Sequence, residues 1–125
     1  MRSVLLVGLG GALGAVCRYL IGRIPVHAPF PILTLLVNAA GAVLIGAVTG
    51  LALRGNGLSE AAVLFWKTGV CGGFTTFSAF SLESLGLLES GKPGWGVLYI
   101  LLSVGLCLGG VTLGRALVRL LVKTA

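Results

Sequence analysis

The chain has 125 residues, of which 57% are hydrophobic and only 10% are charged, with nine Lys and Arg against three Asp and Glu. A soluble domain is usually about 25% charged because its surface must be hydrated, so this composition excludes an ordinary soluble protein and indicates a membrane protein of one domain. The excess of basic residues does not indicate nucleic-acid binding, because the cations lie scattered near the ends of apolar segments instead of forming a stripe.

Four segments are long and apolar enough to cross a bilayer, which takes about 20 residues per helix. In chain order they are residues 3–22, 32–53, 60–90 and 95–121. The first is interpreted as a retained span and not as a signal peptide, since three more apolar segments follow it. A proline-rich loop, the polar string at 54–57 and a turn at 91–94 separate the segments. We predict an all-α integral membrane protein with a single transmembrane domain, because an open sheet edge in lipid would leave backbone groups unpaired.

The third segment contains the most unusual stretch of the chain, GVCGGFTTFSAF at residues 69–80. The adjacent Gly72 and Gly73, followed by Thr75 and Thr76, are poor helix formers, so we predict that this helix is broken mid-membrane, near residues 72–76. Irregular backbone at that depth is tolerated only where it is buried in protein or lines a cavity, and broken membrane helices often bind ions. A simple kink is the alternative.

Several of the 21 glycines lie four residues apart, a spacing that lets helix backbones touch in lipid. These pairs are Gly10 and Gly14, Gly46 and Gly50, Gly105 and Gly109, and Gly110 and Gly114. They predict tight packing within one subunit. We also favour packing between subunits, because four thin helices enclose little space.

Four spans would place both termini on one side of the membrane, with a weak asymmetry of charge between the two sides. The terminal side carries Arg2, Arg54, Lys67, Arg115, Arg119 and Lys123, and the opposite side carries Arg18, Arg23 and Lys92. The positive-inside rule mildly favours cytoplasmic termini, and so small a bias is compatible with insertion in both orientations.

Two polar residues inside the predicted spans require a reason, because polar groups are costly in lipid. Arg18, near the end of the first span, either snorkels to the interface or provides a fixed positive charge that attracts anions into a vestibule. Asn38, within the second span, is too short to snorkel. It therefore either binds a neighbouring helix or donates its amide hydrogens to an anion.

Phe77 and Phe80 lie three residues apart and therefore share a helix face, for which core packing is the ordinary explanation. An aromatic ring has a positive edge, however, so two ring edges are also suited to contact an anion. Thr76, Ser78 and Ser81 add hydroxyl donors nearby.

Polar residues continue along the third and fourth spans. Glu83 lies near the expected mouth of a pathway, and Tyr99, Ser103 and Cys107 recur at every fourth position as a mildly polar stripe, which is either packing glue or a pore wall. No nucleophile–base pair or carboxylate pair shares a site, so we expect no enzyme activity. The widely spaced cysteines predict neither a disulfide framework nor a zinc site.

Three motifs in this order resemble the Fluc (CrcB) family of fluoride channels, and the resemblance extends over the whole chain. They are GGALGAVCRY at 10–19, TLLVNAAG at 34–41 and GVCGGFTTFSAF at 69–80, of which the last is the most specific. The resemblance implies four transmembrane helices in an antiparallel, dual-topology homodimer within the lipid bilayer. It also implies two separate fluoride pores along the subunit interface.

The resemblance implies roles for individual residues as well. Phe77 and Phe80 match the phenylalanines whose ring edges line the fluoride sites, and Asn38 matches the pore asparagine. Arg18 matches the vestibule arginine. The predicted pore residues are Asn38, Thr76, Phe77, Ser78, Phe80, Glu83, Tyr99 and Ser103. Gly72 and Thr75 match the positions whose backbone carbonyls bind a structural Na⁺ at the dimer centre.

Two residues depart from the family pattern. Ala79 stands where a Thr is common, and Cys107 stands where a Ser is usual. Both changes remove a hydroxyl from the pore wall, so conduction is expected to be slower unless a water molecule substitutes.

We therefore expect passive export of fluoride from the cytoplasm across the inner (plasma) membrane. One rival is a small proton-coupled multidrug exporter of four helices. That mechanism requires a membrane-embedded carboxylate, expected in the first helix, where this chain has none. The other rival is a non-conducting membrane assembly protein.

Overall fold

The structure, a computed structural model, describes residues 1–54 and 57–123, and every regular element in these ranges is helical. The elements are α1 (Arg2–Gly22), α2 (Ile32–Ala52), α3 (Glu60–Val63), a π-helix (Leu64–Cys71), α4 (Gly72–Phe74), α5 (Phe77–Glu89) and α6 (Pro93–Lys123). The prediction of an all-α fold is confirmed for the described residues. Gly55 and Asn56, within the string predicted to close the second span, lie outside them.

Among the described residues, three helices are long and apolar enough to cross a membrane, as a multi-pass membrane protein requires. They are Arg2–Gly22, Ile32–Ala52 and the Pro93–Val122 part of α6. The helical segments between Glu60 and Glu89 are individually shorter. That these segments cross the bilayer together, as a further span, stays a prediction.

α3, the π-helix and α4 follow one another without a gap from Glu60 to Phe74 and are here called the α3–α4 rod. The helical conformation stops at Thr75 (φ −81°, ψ 156°) and Thr76 (φ −147°, ψ 115°), and α5 begins directly afterwards. These two extended residues are called the Thr75–Thr76 break. Their β-branched side chains favour extended backbone. The Thr76 hydroxyl also caps α5, because it accepts the Ala79 N–H at 3.1 Å.

Gly72 and Gly73 remain helical, so only the threonines of this stretch leave the helical conformation. Glycine is needed at position 73 for a close approach, since a Cβ there would lie 2.3 Å from the Gly11 carbonyl oxygen of α1. A Cβ at Gly14 would likewise lie 2.2 Å from the Val70 carbonyl oxygen. Glycine therefore lets α1 and the α3–α4 rod touch backbone to backbone.

α2 and α6 form the most extensive helix pair, again through glycine. A Cβ at Gly46 would lie 2.3 Å from the Val111 carbonyl oxygen, and a Cβ at Gly114 would lie 2.1 Å from a carbonyl oxygen of α2. A Cβ added at Gly105 or Gly109 would meet nothing within 4 Å among the described residues. The pair Gly105 and Gly109 therefore leaves one face of α6 open. The other three glycine pairs serve packing within the chain.

The turn between α5 and α6 has the residues that such helix ends favour. Gly91 has φ +74°, the left-handed conformation in which many helices end. Pro93 begins α6, because its fixed φ suits a first helical turn and its missing N–H is not needed there. α6 therefore starts two residues before the predicted position at Trp95.

Candidate functional site

Asn38 of α2 binds the Thr75–Thr76 break directly. Its Oδ1 accepts the Thr76 N–H at 2.8 Å, and its Nδ2 donates to the Thr76 carbonyl oxygen at 3.0 Å. The side-chain amide thus satisfies both peptide groups of one extended residue, as a neighbouring strand would. Asn38 is only 9% exposed. The second hydrogen on Nδ2 has no partner within the described ranges, so it remains free to donate.

Two backbone N–H groups at the break do not donate to the carbonyl oxygens that they would reach in a continuous helix. There, the Thr76 N–H would donate to the Gly72 carbonyl, and the Ala79 N–H would donate to the Thr75 carbonyl. In the structure they donate to Asn38 Oδ1 and to Thr76 Oγ1. The carbonyl oxygens of Gly72 and Thr75 are thereby released from helical hydrogen bonding.

The two released oxygens are those that the family resemblance assigns to Na⁺. Gly72 is exposed, and a Cβ there would meet nothing within 4 Å among the described residues. Hard cations prefer oxygen ligands, so the residues present fit such a cation. Two oxygens alone would not complete the coordination of such a cation. In residues 1–54 and 57–123, no three His, Cys, Asp or Glu side chains come together as a different kind of metal site.

Phe77 and Phe80 start α5 with ring centroids 5.4 Å apart and ring planes at 49°. Their environments differ, because Phe77 is 80% exposed whereas Phe80 is 9% exposed. Phe80 also lies 5.4 Å from the Tyr99 ring in a tilted arrangement, within the core around Leu35. Packing within the protomer therefore accounts for the position of Phe80 but not for that of Phe77.

Glu83 joins three helices through its carboxylate. Thr34 of α2 donates to Oε1 and Tyr99 of α6 donates to Oε2, each at 2.8 Å. One turn along α6 from Tyr99, Ser103 is buried, and its Oγ has no hydrogen-bond partner in the described part of the chain. Such a buried hydroxyl is costly unless it binds a ligand or water, so Ser103 is suited to donate to an anion.

The hydroxyls at the start of α5 differ in their availability. Thr76 Oγ1 and Ser78 Oγ lie 3.3 Å apart, and Ser78 is exposed. Ser81 instead donates to the Phe77 carbonyl oxygen of its own helix at 2.8 Å. The structure therefore gathers Thr76 and Ser78 beside Asn38 and leaves Ser81 bonded within α5.

Arg18 of α1 lies beside the break. Its Nε donates to the Gly73 carbonyl oxygen at 3.2 Å, near the C-terminal end of the α3–α4 rod, where a positive charge is favourable. It also lines a groove of about 470 Å³ together with Thr34, Thr76 and Ala79. Neither interpretation of Arg18 from the sequence included the bond to Gly73.

A second groove, of about 310 Å³, also reaches Thr76. Its lining includes Asn38, Lys67, Gly72, Thr75, Phe77 and Cys107. Residues that the sequence singled out on three separate predicted spans therefore meet along one surface of the protomer.

Two members of this arrangement, Thr34 and Gly73, were not predicted from the sequence as site residues. Thr34 lies one helical turn before Asn38 on the same face of α2, and this spacing could have identified it. The Gly73 carbonyl left no sequence signal, because a backbone acceptor is independent of residue type.

Residues 5–115 of the chain match the family described as "CrcB-like protein, Camphor Resistance (CrcB)". A protein named "Fluoride-specific ion channel FluC" from Rhizobium meliloti (strain 1021) is 46% identical over 125 residues, covering 98% of this chain and 100% of the relative. A protein of the same name from Ruegeria sp. (strain TM1040) is 49% identical over 121 residues, covering 94% of each chain. Another, from Ruminiclostridium cellulolyticum, is 43% identical over 122 residues, covering 95% of this chain and 94% of the relative.

Proposed function

The chain belongs to the CrcB-like (Fluc) family, whose named relatives are ion channels and not enzymes, and we propose that it is a fluoride-selective channel. Fluoride enters from acidic surroundings as neutral HF and ionises in the cytoplasm. The channel lets the anion leave passively, down its electrochemical gradient, and so protects the cell against fluoride toxicity. We place it as a multi-pass protein in the inner (plasma) membrane, where the α3–α4 rod and α5 together cross as a fourth, broken span.

The observation that carries this proposal is the Thr75–Thr76 break, held by Asn38 next to the exposed ring of Phe77. A selective site must replace the hydration shell of its ion with contacts of comparable strength. The break gathers an unused amide hydrogen of Asn38, the hydroxyls of Thr76 and Ser78, and aromatic ring edges. All of these are hydrogen-bond donors or carry partial positive charge, which favours an anion.

The proposed pathway continues along α5 and α6. Phe77 and Phe80 present ring edges, and the Ser103 hydroxyl donates to the passing anion. Glu83 orients Tyr99 through the 2.8 Å bond between them. Arg18 attracts fluoride into the groove of about 470 Å³ that it lines. Cys107 and Ala79 face this pathway without hydroxyl groups.

A second copy of the chain supplies what one protomer lacks. The Phe77 ring is 80% exposed, and the two released carbonyl oxygens need further partners. We propose an antiparallel, dual-topology homodimer with two fluoride pores along its interface, which would cover the groove of about 310 Å³. The weak asymmetry of charge between the two predicted sides of the membrane is compatible with insertion in both orientations.

We further propose that a structural Na⁺ at the dimer centre is held by the carbonyl oxygens of Gly72 and Thr75 from both subunits. A bound Na⁺ supplies positive charge that offsets the partial negative charge of these oxygens. Replacing Na⁺ by K⁺ at constant ionic strength is therefore expected to lower the thermal unfolding midpoint of the purified dimer. Equal midpoints in the two buffers would count against the Na⁺ site but would not bear on the proposal that the protein conducts fluoride.

Fluoride flux tests the main proposal directly. Purified protein in liposomes loaded with potassium fluoride is expected to release fluoride when valinomycin allows K⁺ to follow, as a fluoride electrode would record. Matched liposomes loaded with potassium chloride are expected to release little chloride, because the larger ion does not fit the narrow site. Fluoride release no faster than from empty vesicles would refute channel function, and equal chloride release would refute selectivity.

A further inference from the structure

Three arginines converge at one end of the α2–α6 pair, away from the Thr75–Thr76 break. Arg54 follows the last turn of α2, and Arg115 and Arg119 lie one turn apart on α6. All three line one cavity of about 230 Å³. None of them lines either groove at the break, so the conduction site does not account for them.

Close packing of the two helices brings these side chains together. A Cβ at Gly50 would lie 3.3 Å from the Val118 Cβ, so α2 and α6 run close to each other up to the end of α2. Arg115 Nε lies 3.5 Å from Thr49 Oγ1, which anchors its side chain across this contact. The cavity therefore forms where the end of α2, with Leu53 and Arg54 directly after it, meets α6.

The cluster has an excess of positive charge that no acidic side chain lining the cavity balances within the described residues. The sequence has only three acidic residues, and no acidic residue of the described ranges lines the cavity. Glu83 is bonded to Thr34 and Tyr99 elsewhere. The carbonyl end of α2 favours one nearby cation, but three guanidinium groups in one cavity repel one another unless an anion lies between them.

We propose that this cavity binds the phosphate group of an anionic phospholipid headgroup at the membrane surface. Guanidinium groups donate bidentate hydrogen bonds to phosphate oxygens and stay charged at all physiological pH values. The end of a spanning helix is the depth at which headgroups lie, and basic pockets between such helices suit them. Leu53 lines the same cavity and is 79% exposed, which gives the site an apolar edge for the lipid chain.

The test compares phosphatidylglycerol with phosphatidylcholine, two lipids that share acyl chains and differ in net charge. Each is added to the full-length protein in detergent micelles, and the thermal unfolding midpoint is measured. Phosphatidylglycerol is expected to raise the midpoint, whereas phosphatidylcholine is not. The double variant Arg54→Gln with Arg119→Gln is expected to lose this increase. Arg2→Gln, which removes a cation outside the cavity, is expected to keep it.

An equal increase with both lipids, or an undiminished phosphatidylglycerol effect in the double variant, would overturn the proposal. Inorganic phosphate forms a third arm, and an increase as large as that from phosphatidylglycerol at equal phosphate concentration would overturn the assignment to lipid. Should the double variant fail to fold, Arg119→Gln alone is compared with the unmodified protein for phosphatidylglycerol retained through purification. The variant is expected to retain less, and equal retention would overturn the proposal.

Discussion

Replacing Asn38 by leucine is expected to abolish fluoride flux and to destabilise the protein. Leucine has a similar size but neither donates nor accepts hydrogen bonds, so the Thr76 N–H and carbonyl both lose the partners that they have at 2.8 and 3.0 Å. Each polar group left unpaired in a dry environment costs about 1–3 kcal/mol. Thr76 then either stays unpaired or re-forms the helix, and both outcomes remove the geometry of the break.

Two variants isolate this effect. Ser84→Ala removes a buried hydroxyl that donates to the Phe80 carbonyl oxygen of its own helix, so it orphans no backbone group and is expected to change stability little. Asn38→Gln keeps both the donor and the acceptor but displaces the amide by one methylene, so an intermediate loss of stability and flux is expected. Thermal unfolding in micelles measures the stability of each variant, and the liposome assay measures its fluoride flux. An Asn38→Leu protein as stable and as active as Ser84→Ala would contradict the role assigned to the two hydrogen bonds between Asn38 and Thr76.

The sequence predicts the long helices well, because hydropathy over 20 residues is a strong signal. α1 was expected at 3–22 and lies at Arg2–Gly22. The sequence does not predict the π-helix at Leu64–Cys71, because π-helices are rare and hydropathy does not distinguish them from α-helices. A Cβ at Gly69, within it, would lie 2.9 Å from the Gly10 Cα of α1.

The position of the Thr75–Thr76 break depends on more than helix propensity. Glycines and threonines together suggested irregular backbone near residues 72–76, yet the glycines are helical. Gly73 serves the contact with α1, and the threonines adopt the extended conformation. Propensity indicates that a stretch is a poor helix but does not show which residues leave it, because Asn38 from another helix fixes that choice.

In the candidate site, the sequence likewise identifies polar residues but not the partners that they bind. Glu83 and Tyr99 stood out as polar residues within apolar spans, but their mutual bond did not. Which side chains meet across helices depends on the rotation of each helix about its axis, and glycine contacts set that rotation here. Sequence alone does not predict that Thr34 donates to Glu83, because a threonine in a span often bonds to its own helix.

Phe77→Ile is expected to reduce fluoride flux at least tenfold while leaving the protein folded. Isoleucine keeps the apolar character of the position but has no ring edge to contact an anion. A tenfold slower passage corresponds to about 1.4 kcal/mol of lost stabilisation at the barrier. Because Phe77 is 80% exposed, the protomer loses few core contacts. Phe80→Ile is expected to lose flux as well, but with lower stability, since Phe80 packs 5.4 Å from Tyr99.

Leu82→Ile is the matched control, because Leu82 is 73% exposed on the same helix and carries no ring. It is expected to keep the flux of the unmodified protein in the same liposome assay. A non-conducting assembly protein would tolerate the Phe77 and Leu82 changes equally, whereas a pathway lined by ring edges would not. Flux at the unmodified level from folded Phe77→Ile protein would show that this ring takes no part in conduction. The proposed route would then have to depend on Asn38 and the hydroxyls alone.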